Sequence, residues 1–128
     1  MKTKFSTSWK ASKQTRKQRK YRHNAPLHVK QKLVRAHLSK ELIKKHGRRS
    51  LGLRKGDKVK VMRGEHKKYI GKVDKISLKK GKVYLEGIEV TKRDGTKTVY
   101  PFEPSNLMIT ELILEDKIRQ KILERKSK

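Results

Sequence analysis

Apolar and polar residues alternate over much of residues 51–110, as expected for β-strands with one buried face. The clearest run is KVKV, in which Val59 and Val61 alternate with lysines. The pattern predicts five or six short strands, at 58–62, 71–78, 82–86 with a continuation to 90, 97–102 and 107–109. So many short strands in about sixty residues predict a small closed barrel, because closure removes exposed sheet edges.

The turns and the interior of this barrel follow from the same pattern. Turns are predicted at 79–81, 93–95 and 104–106, where Gly, Asp, Asn and Pro cluster. Val73 and Ile76 lie three residues apart, which indicates a β-bulge in that strand. The predicted interior comprises Val59, Val61, Val73, Ile76, Val83, Leu85, Val90 and Val99.

Helical spacing replaces strand alternation before the barrel. Pro26 suits the first turn of a helix, and Gly47 is placed to end one. Ser39 is a suitable N-cap, so a break into two short helices is predicted near residue 38. One apolar stripe contains Leu27, Val34, Leu38 and Leu42. The other face is either solvated or turned toward a polyanion, and it carries Lys32, Arg35 and Lys40.

The two ends of the chain differ in pattern. Residues 112–128 predict a terminal helix with Ile118 and Ile122 as a thin apolar stripe. Residues 1–24 have no apolar period and carry nine basic residues and no acid, so they predict a disordered arm that orders along phosphates. Its aromatic residues, Phe5, Trp9 and Tyr21, are available to stack on bases. The predicted organisation is therefore an arm (1–24), a short helical segment (25–50), the barrel (51–110) and a C-terminal helix (111–128).

Charge indicates the kind of partner. The 128-residue chain has 38 Lys and Arg against 12 acids, a net charge of +26, and residues 1–50 contribute +16 of it. Such a chain favours a dense polyanion, and a nucleic acid backbone qualifies because neutralised phosphates release counterions. The hydrophobic fraction is 32%, below the roughly 45–50% of ordinary globular domains, so one small core is expected.

The basic hairpin RGEHKKYIGK, at 63–72, has two interpretations. A P-loop needs four residues between its first Gly and the Gly-Lys-Ser/Thr, whereas six separate Gly64 from Gly71, and Val73 offers no hydroxyl. A purely structural turn would use Asn, Asp or Gly rather than a cluster of cations. We therefore predict a phosphate-gripping hairpin tip at 63–69, with Tyr69 either stacking on a base or packing on the barrel rim.

Other chemistry is not indicated. The chain has no Cys, its acids are scattered among bases, and no motif joins Ser, His and Asp, so neither an enzyme nor a cofactor is predicted. His28, His37 and His46 are nine residues apart, which places them half a helical turn out of phase and argues against a metal site. The longest apolar runs are three residues, and the chain has neither a glycine at position 2 nor a C-terminal Cys for lipidation. We expect a soluble intracellular protein without membrane insertion.

Four stretches carry a resemblance to a known family. Residues 55–88, KGDKVKVMRGEHKKYIGKVDKISLKKGKVYLEGI, resemble the KOW motif of ribosomal proteins and transcription elongation factors. KQRKYRHNAPLHVKQKL (17–33), VYPFEPSNLMIT (99–110) and DKIRQKILERK (116–126) are similar to the archaeal and eukaryotic form of the large-subunit ribosomal protein twenty-four family, called protein twenty-six in eukaryotes. The pieces occur in the family's order over nearly the whole chain.

The resemblance implies a mainly β fold, a small SH3-like KOW barrel, and a non-enzymatic structural constituent of the large ribosomal subunit. Family members bind the 5′ region of large-subunit rRNA early in assembly and lie near the polypeptide exit tunnel, among neighbouring ribosomal proteins and factors that dock there. Lys68 stands where the family has a Gly, so a differently shaped tip is expected. The predicted RNA-binding residues are Lys10, Lys13, Arg16, Lys17, Arg19, Lys20, Arg22, Arg48, Arg49, Arg54, Lys55, Arg63, His66, Lys67, Lys68 and Tyr69.

Three other classes compete with this interpretation. A KOW-type elongation factor carries a larger domain before the motif, whereas only about fifty strongly basic residues precede it here. A histone-like DNA-compacting protein would prefer duplex DNA to structured RNA at matched salt. An enzyme acting on RNA would need catalytic residues that the sequence does not offer.

Overall fold

The computed structural model describes residues 5–125. Four basic residues counted above, Lys2, Lys4, Lys126 and Lys128, lie outside that range. Seven strands form one sheet, namely β1 (Arg35–Leu38), β2 (Ser50–Gly52), β3 (Lys58–Val61), β4 (Ile70–Ser77), β5 (Lys82–Thr91), β6 (Lys97–Phe102) and β7 (Leu107–Glu111). Helical segments are a 3-10 helix (Thr7–Ala11), α1 (Thr15–Asn24), α2 (Leu27–Leu33), α3 (Lys40–His46), a second 3-10 helix (Pro104–Asn106) and α4 (Lys117–Glu124).

The strands follow the order β2-β1-β7-β3-β4-β5-β6. Only the β1–β7 pair is parallel among the described strands, with His37 opposite Met108. The predicted bulge in β4 is present, because its register against β5 shifts between Val73 and Lys75. The result is a mainly β, partly closed barrel with short helices and a C-terminal helix, which confirms the predicted fold class.

The core confirms most of the predicted interior. Five of its residues are at most 1% exposed, namely Val59, Val61, Val73, Val83 and Leu85. Ile76 is half-buried against them. The prediction is wrong for Val90 and Val99, each 43% exposed. The β5–β6 pairing becomes irregular before Glu89, and residues 91–97 beyond it are all exposed, so no second layer covers these two valines.

A strand interrupts the segment that was predicted to be helical. Residues Arg35–Leu38 form β1 rather than the continuation of a helix, and Ala36 and Leu38 are buried at alternate positions. The single stripe through Val34 and Leu38 is therefore wrong. Pairing of β1 with both β2 and β7 decides the outcome, because sheet contacts made elsewhere in the chain outweigh local helix propensity.

The caps of α3 agree with the sequence. Ser39 Oγ accepts the backbone N–H of Leu42 at 3.4 Å, and Gly47 ends the helix at φ 64°. Burial, and next the charge of Lys45, lower the pKa of His46 below its usual value. His46 is therefore mostly neutral at pH 7 and adds no cation to the helix C-terminus.

The C-terminal helix is shorter than predicted. α4 begins only after Asp116, whose Oδ1 accepts the N–H of Ile118 at 3.0 Å, and residues 112–116 are neither helix nor strand. The predicted apolar stripe is wrong at Ile118, which is 65% exposed. The buried face instead carries Arg119 and Leu123. A stripe drawn only from apolar residues could not include the arginine.

The arm has local structure that its pattern did not predict. Gln18 Nε2 donates to the carbonyls of Trp9, Lys10 and Ser12 at 3.2, 3.2 and 2.7 Å, which folds the first 3-10 helix onto α1. No residue of α1 is buried. The contacts that hold the arm together are therefore almost all its own.

We expect the arm to lose this structure in the free protein and to regain it on RNA. A ten-residue helix without buried contacts is marginal in water. Amide NMR checks this, with low dispersion and fast exchange expected for residues 10–22 before RNA is added. Protected, well-dispersed amides for these residues in the free protein would contradict it.

Candidate nucleic-acid interface

The β3–β4 hairpin tip is a compact loop closed by backbone hydrogen bonds. The Lys68 N–H donates to the Val61 carbonyl at 2.9 Å, and the Lys67 N–H donates to the Gly64 carbonyl at 3.2 Å. Lys68 has φ 76°, the left-handed conformation that glycine adopts most easily. The loop therefore keeps a backbone conformation suited to glycine although a lysine occupies the position.

Two ring residues of the tip face the barrel. The His66 ring packs edge-on against Tyr100, with centroids 4.9 Å apart. The Tyr69 hydroxyl donates to the Glu86 carbonyl at 2.8 Å, and its ring lies so close to Gly71 that a Cβ there would be 2.6 Å away. Tyr69 packs on the barrel and remains 36% exposed, and its contact with RNA stays a prediction. Both rings therefore brace the tip rather than extend from it.

The remaining tip cations are exposed to solvent instead of packing on the barrel. Arg63, Lys67 and Lys68 are exposed, and none of them forms a salt bridge with an acid among residues 5–125. Like charges held close together repel unless an anion neutralises them. The loop therefore presents three cations without acidic partners, and these can bind phosphate groups.

The arm presents cations on all sides of α1. All of its predicted binding residues are exposed, namely Lys10, Lys13, Arg16, Lys17, Arg19, Lys20 and Arg22. Its aromatic residues are engaged within the arm, since the Phe5 and Tyr21 rings lie 5.0 Å apart and Lys20 Nζ sits 5.3 Å from the Trp9 ring. Base stacking by these rings would require the arm to rearrange.

The other predicted binding residues lie near the C-terminal helix. Arg54 pairs with Asp116, Lys55 Nζ lies 3.7 Å from Asp74, and Arg48 Nη2 donates to the Arg125 carbonyl at 2.8 Å. Arg49 is exposed. The exposed Lys55–Asp74 pair contributes at most about 1 kcal/mol, so a phosphate can compete for Lys55.

One charged pair that fixes this region was not predicted. Asp57 and Arg119 are 0% and 2% exposed and join through two 2.6 Å bonds, Nη1 to Oδ1 and Nη2 to Oδ2. Asp57 also accepts the backbone N–H groups of Arg54 at 2.9 Å and Ile113 at 3.2 Å. We call this pair the Asp57–Arg119 clamp, and it attaches α4 to the barrel.

Neither a metal cluster nor a membrane span is found within residues 5–125. No three His, Asp or Glu side chains there are grouped to hold an ion. None of the helices there has the length and apolar character needed to cross a bilayer.

Comparison with known proteins decides the family. Residues 12–126 match the family described as ribosomal proteins L26 of eukaryotes and their archaeal L24 counterparts. Over 108 residues the chain is 53% identical to the large ribosomal subunit protein uL24 of Methanosarcina barkeri (strain Fusaro / DSM 804), which covers 84% of this chain and 93% of that protein. The chain belongs to this ribosomal protein family.

Family membership confirms the resemblance seen in the sequence. As a member of this family, the chain is a structural constituent of the large ribosomal subunit in the cytoplasm and not an enzyme. The elongation-factor and histone-like alternatives are thereby set aside. Its exposed cations are the surface available to the other components of the subunit.

Proposed function

We propose that the protein binds large-subunit rRNA through the hairpin tip, with the basic arm as a second contact. The observation that carries this proposal is the set of three exposed, unpaired cations on a loop braced by His66 and Tyr69. A rigid loop loses little conformational freedom when it meets a phosphate, so more of the electrostatic gain remains as affinity.

The proposal extends to the place and time of binding. The family resemblance supports the 5′ region of the rRNA as the target, early assembly as the stage and a position near the exit tunnel. Neighbouring ribosomal proteins and factors that dock at the tunnel exit are the further partners proposed. The arm and the tip suit early assembly, because both gain order or charge neutralisation only when RNA is present.

A tip variant tests the proposal. We combine Arg63→Ala, Lys67→Ala and Lys68→Gly, and Gly is chosen at 68 because it retains the φ of 76° without strain. Each phosphate contact contributes roughly one unit to the slope of log affinity against log salt. Binding to a 5′ large-subunit rRNA fragment should weaken, and its slope should fall by up to about three units.

The matched control removes the same charge elsewhere. Lys44, Lys45 and Lys92 are exposed on α3 and at the end of the β5–β6 hairpin, and all three are changed to Ala. This control should change the slope of log affinity against log salt much less than the tip variant does. Circular dichroism should show that both variants are folded. An unchanged slope in the folded tip variant would mean that the tip is a solvated turn and makes no phosphate contact.

A further inference from the structure

Two joined grooves lie beside the barrel, and neither involves the hairpin tip. The larger groove, about 1140 Å³, lies among α2, β2, β4 and α4. The smaller, about 470 Å³, runs on toward α1 and includes Arg22 and the 79–81 turn. They share Val34, Arg35 and Leu78, so they form one continuous track.

The larger groove combines an apolar floor with a basic rim. Eight Lys and Arg side chains line it against one acid, Asp74. The floor is formed by Val34, Leu51, Leu53, Ile76, Leu78 and Ile122. A rim of this charge attracts a polyanion, and the floor accepts a flat apolar group but no phosphate.

Two guanidinium groups of this groove have hydrogen-bond donors without acceptors. Arg48 Nε and Arg119 Nε are both buried, and neither has a partner within the described part of the chain. Arg119 is otherwise fully engaged by the Asp57–Arg119 clamp and two backbone carbonyls. Buried donors are almost always paired with protein or with ordered water, so these two Nε–H groups are donors that the described part of the chain leaves unsatisfied beside the groove.

We propose that this joined track holds a single-stranded segment of RNA, with phosphates on the rim and at least one unstacked base on the apolar floor. The inference rests on the proposed function and adds a third RNA-binding surface to the hairpin tip and the arm. A duplex keeps its bases stacked inside and would leave the floor empty, whereas single-stranded loops and bulges can turn a base outward. The larger groove alone exceeds the roughly 300–1,000 Å³ of small-molecule sites, which favours a chain segment over a mononucleotide.

An acidic amphipathic helix fits this groove less well. Val34, Leu51 and Leu53 are only 3%, 3% and 8% exposed, so the apolar surface that a partner can cover is limited to the half-buried Ile76, Leu78 and Ile122. A patch of three side chains suits one base rather than the apolar face of a helix. The continuation toward Arg22 also suits an extended strand better than a helix of fixed width.

A groove variant tests the inference in the full-length protein. Lys32, Arg35 and Lys75 line the larger groove, are exposed and form no salt bridge among residues 5–125, and all three are changed to Ala. The probes are a twelve-nucleotide single-stranded RNA and a duplex RNA of the same length, titrated at several salt concentrations. The control is the Lys44, Lys45 and Lys92 variant, which loses the same charge.

We expect the groove variant to bind the single strand about tenfold more weakly than the control does. Its salt slope for that probe should fall by up to about two units, at roughly 0.7 per contact for single strands. Duplex affinity should change no more than in the control. The parent should also bind the base-bearing strand more tightly than an abasic strand of equal length, and the groove variant should lose that preference.

Several outcomes would overturn the inference. The first is that the groove and control variants bind the single strand with equal affinity, and the second is that the groove variant loses as much affinity for the duplex as for the single strand. The third is that the parent protein binds the abasic strand as tightly as the base-bearing strand. The fourth is that polyglutamate of matched charge displaces the RNA. The tip variant separates this failure from failure of the proposed function. If the tip variant loses rRNA affinity while the groove variant behaves like the control, only the groove inference falls.

Discussion

Asp57→Ala is expected to lower the free energy of unfolding by about 3–5 kcal/mol, because it leaves the buried Arg119 guanidinium without its carboxylate. Two backbone N–H groups, those of Arg54 and Ile113, lose their acceptor in the same change. The whole stability of a domain is only about 5–15 kcal/mol, so this is a large fraction of it. Urea unfolding followed by circular dichroism measures the change.

A double variant shows whether the charge itself causes the loss. Asp57→Asn keeps one carbonyl oxygen, which can accept from one of the two backbone donors, and Arg119→Met removes the guanidinium while retaining similar bulk. The pair of changes should be less destabilising than Asp57→Ala, since replacing both partners leaves no isolated buried charge. If Asp57→Ala unfolds like the parent protein, the clamp does not attach α4 to the barrel.

The clamp also shows what the sequence could not predict. Asp57 and Arg119 are 62 residues apart, and each looks ordinary in its own segment, one at the start of a strand and one in a basic helix. Nothing in local charge or periodicity pairs them. For the same reason the groove was missed, since Arg48, Lys75 and Arg119 come from three separate parts of the chain and meet only in the folded protein.

Local signals predicted what depends on local chemistry. Asp-Gly indicated the 94–95 turn, where the Thr96 hydroxyl and then its N–H donate to the Asp94 carboxylate and lower the pKa of that group. Ser39 and Gly47 indicated the caps of α3. The tip was recognisable because its cations are contiguous in sequence, although the packing of His66 and Tyr69 on the barrel was not.

Errors occurred where tertiary contacts decide the outcome. Arg35–Leu38 is short enough to fit a helix or a strand, and its partners β2 and β7 lie elsewhere in the sequence. Val90 and Val99 alternate correctly for a strand, but alternation identifies a shared face without showing that anything covers it. Where the buried interior ends along β5 therefore depends on which residues the rest of the sheet covers, and truncation of single side chains can measure it.

Comparing the free energies of unfolding of Leu85→Ala and Val90→Ala tests this on one strand. Leu85 is 1% exposed and pairs with Val73, so its truncation should lower the free energy of unfolding by about 2–4 kcal/mol through lost burial and a cavity. Val90 is 43% exposed and pairs with Thr98, so its truncation should cost less than about 1 kcal/mol. A small barrel has little stability in reserve, and Leu85→Ala should therefore unfold much of it near physiological temperature. Equal costs at the two positions would mean that the barrel interior continues past Gly87, and a Leu85→Ala variant that melts like the parent would mean that the strand faces have been assigned the wrong way round.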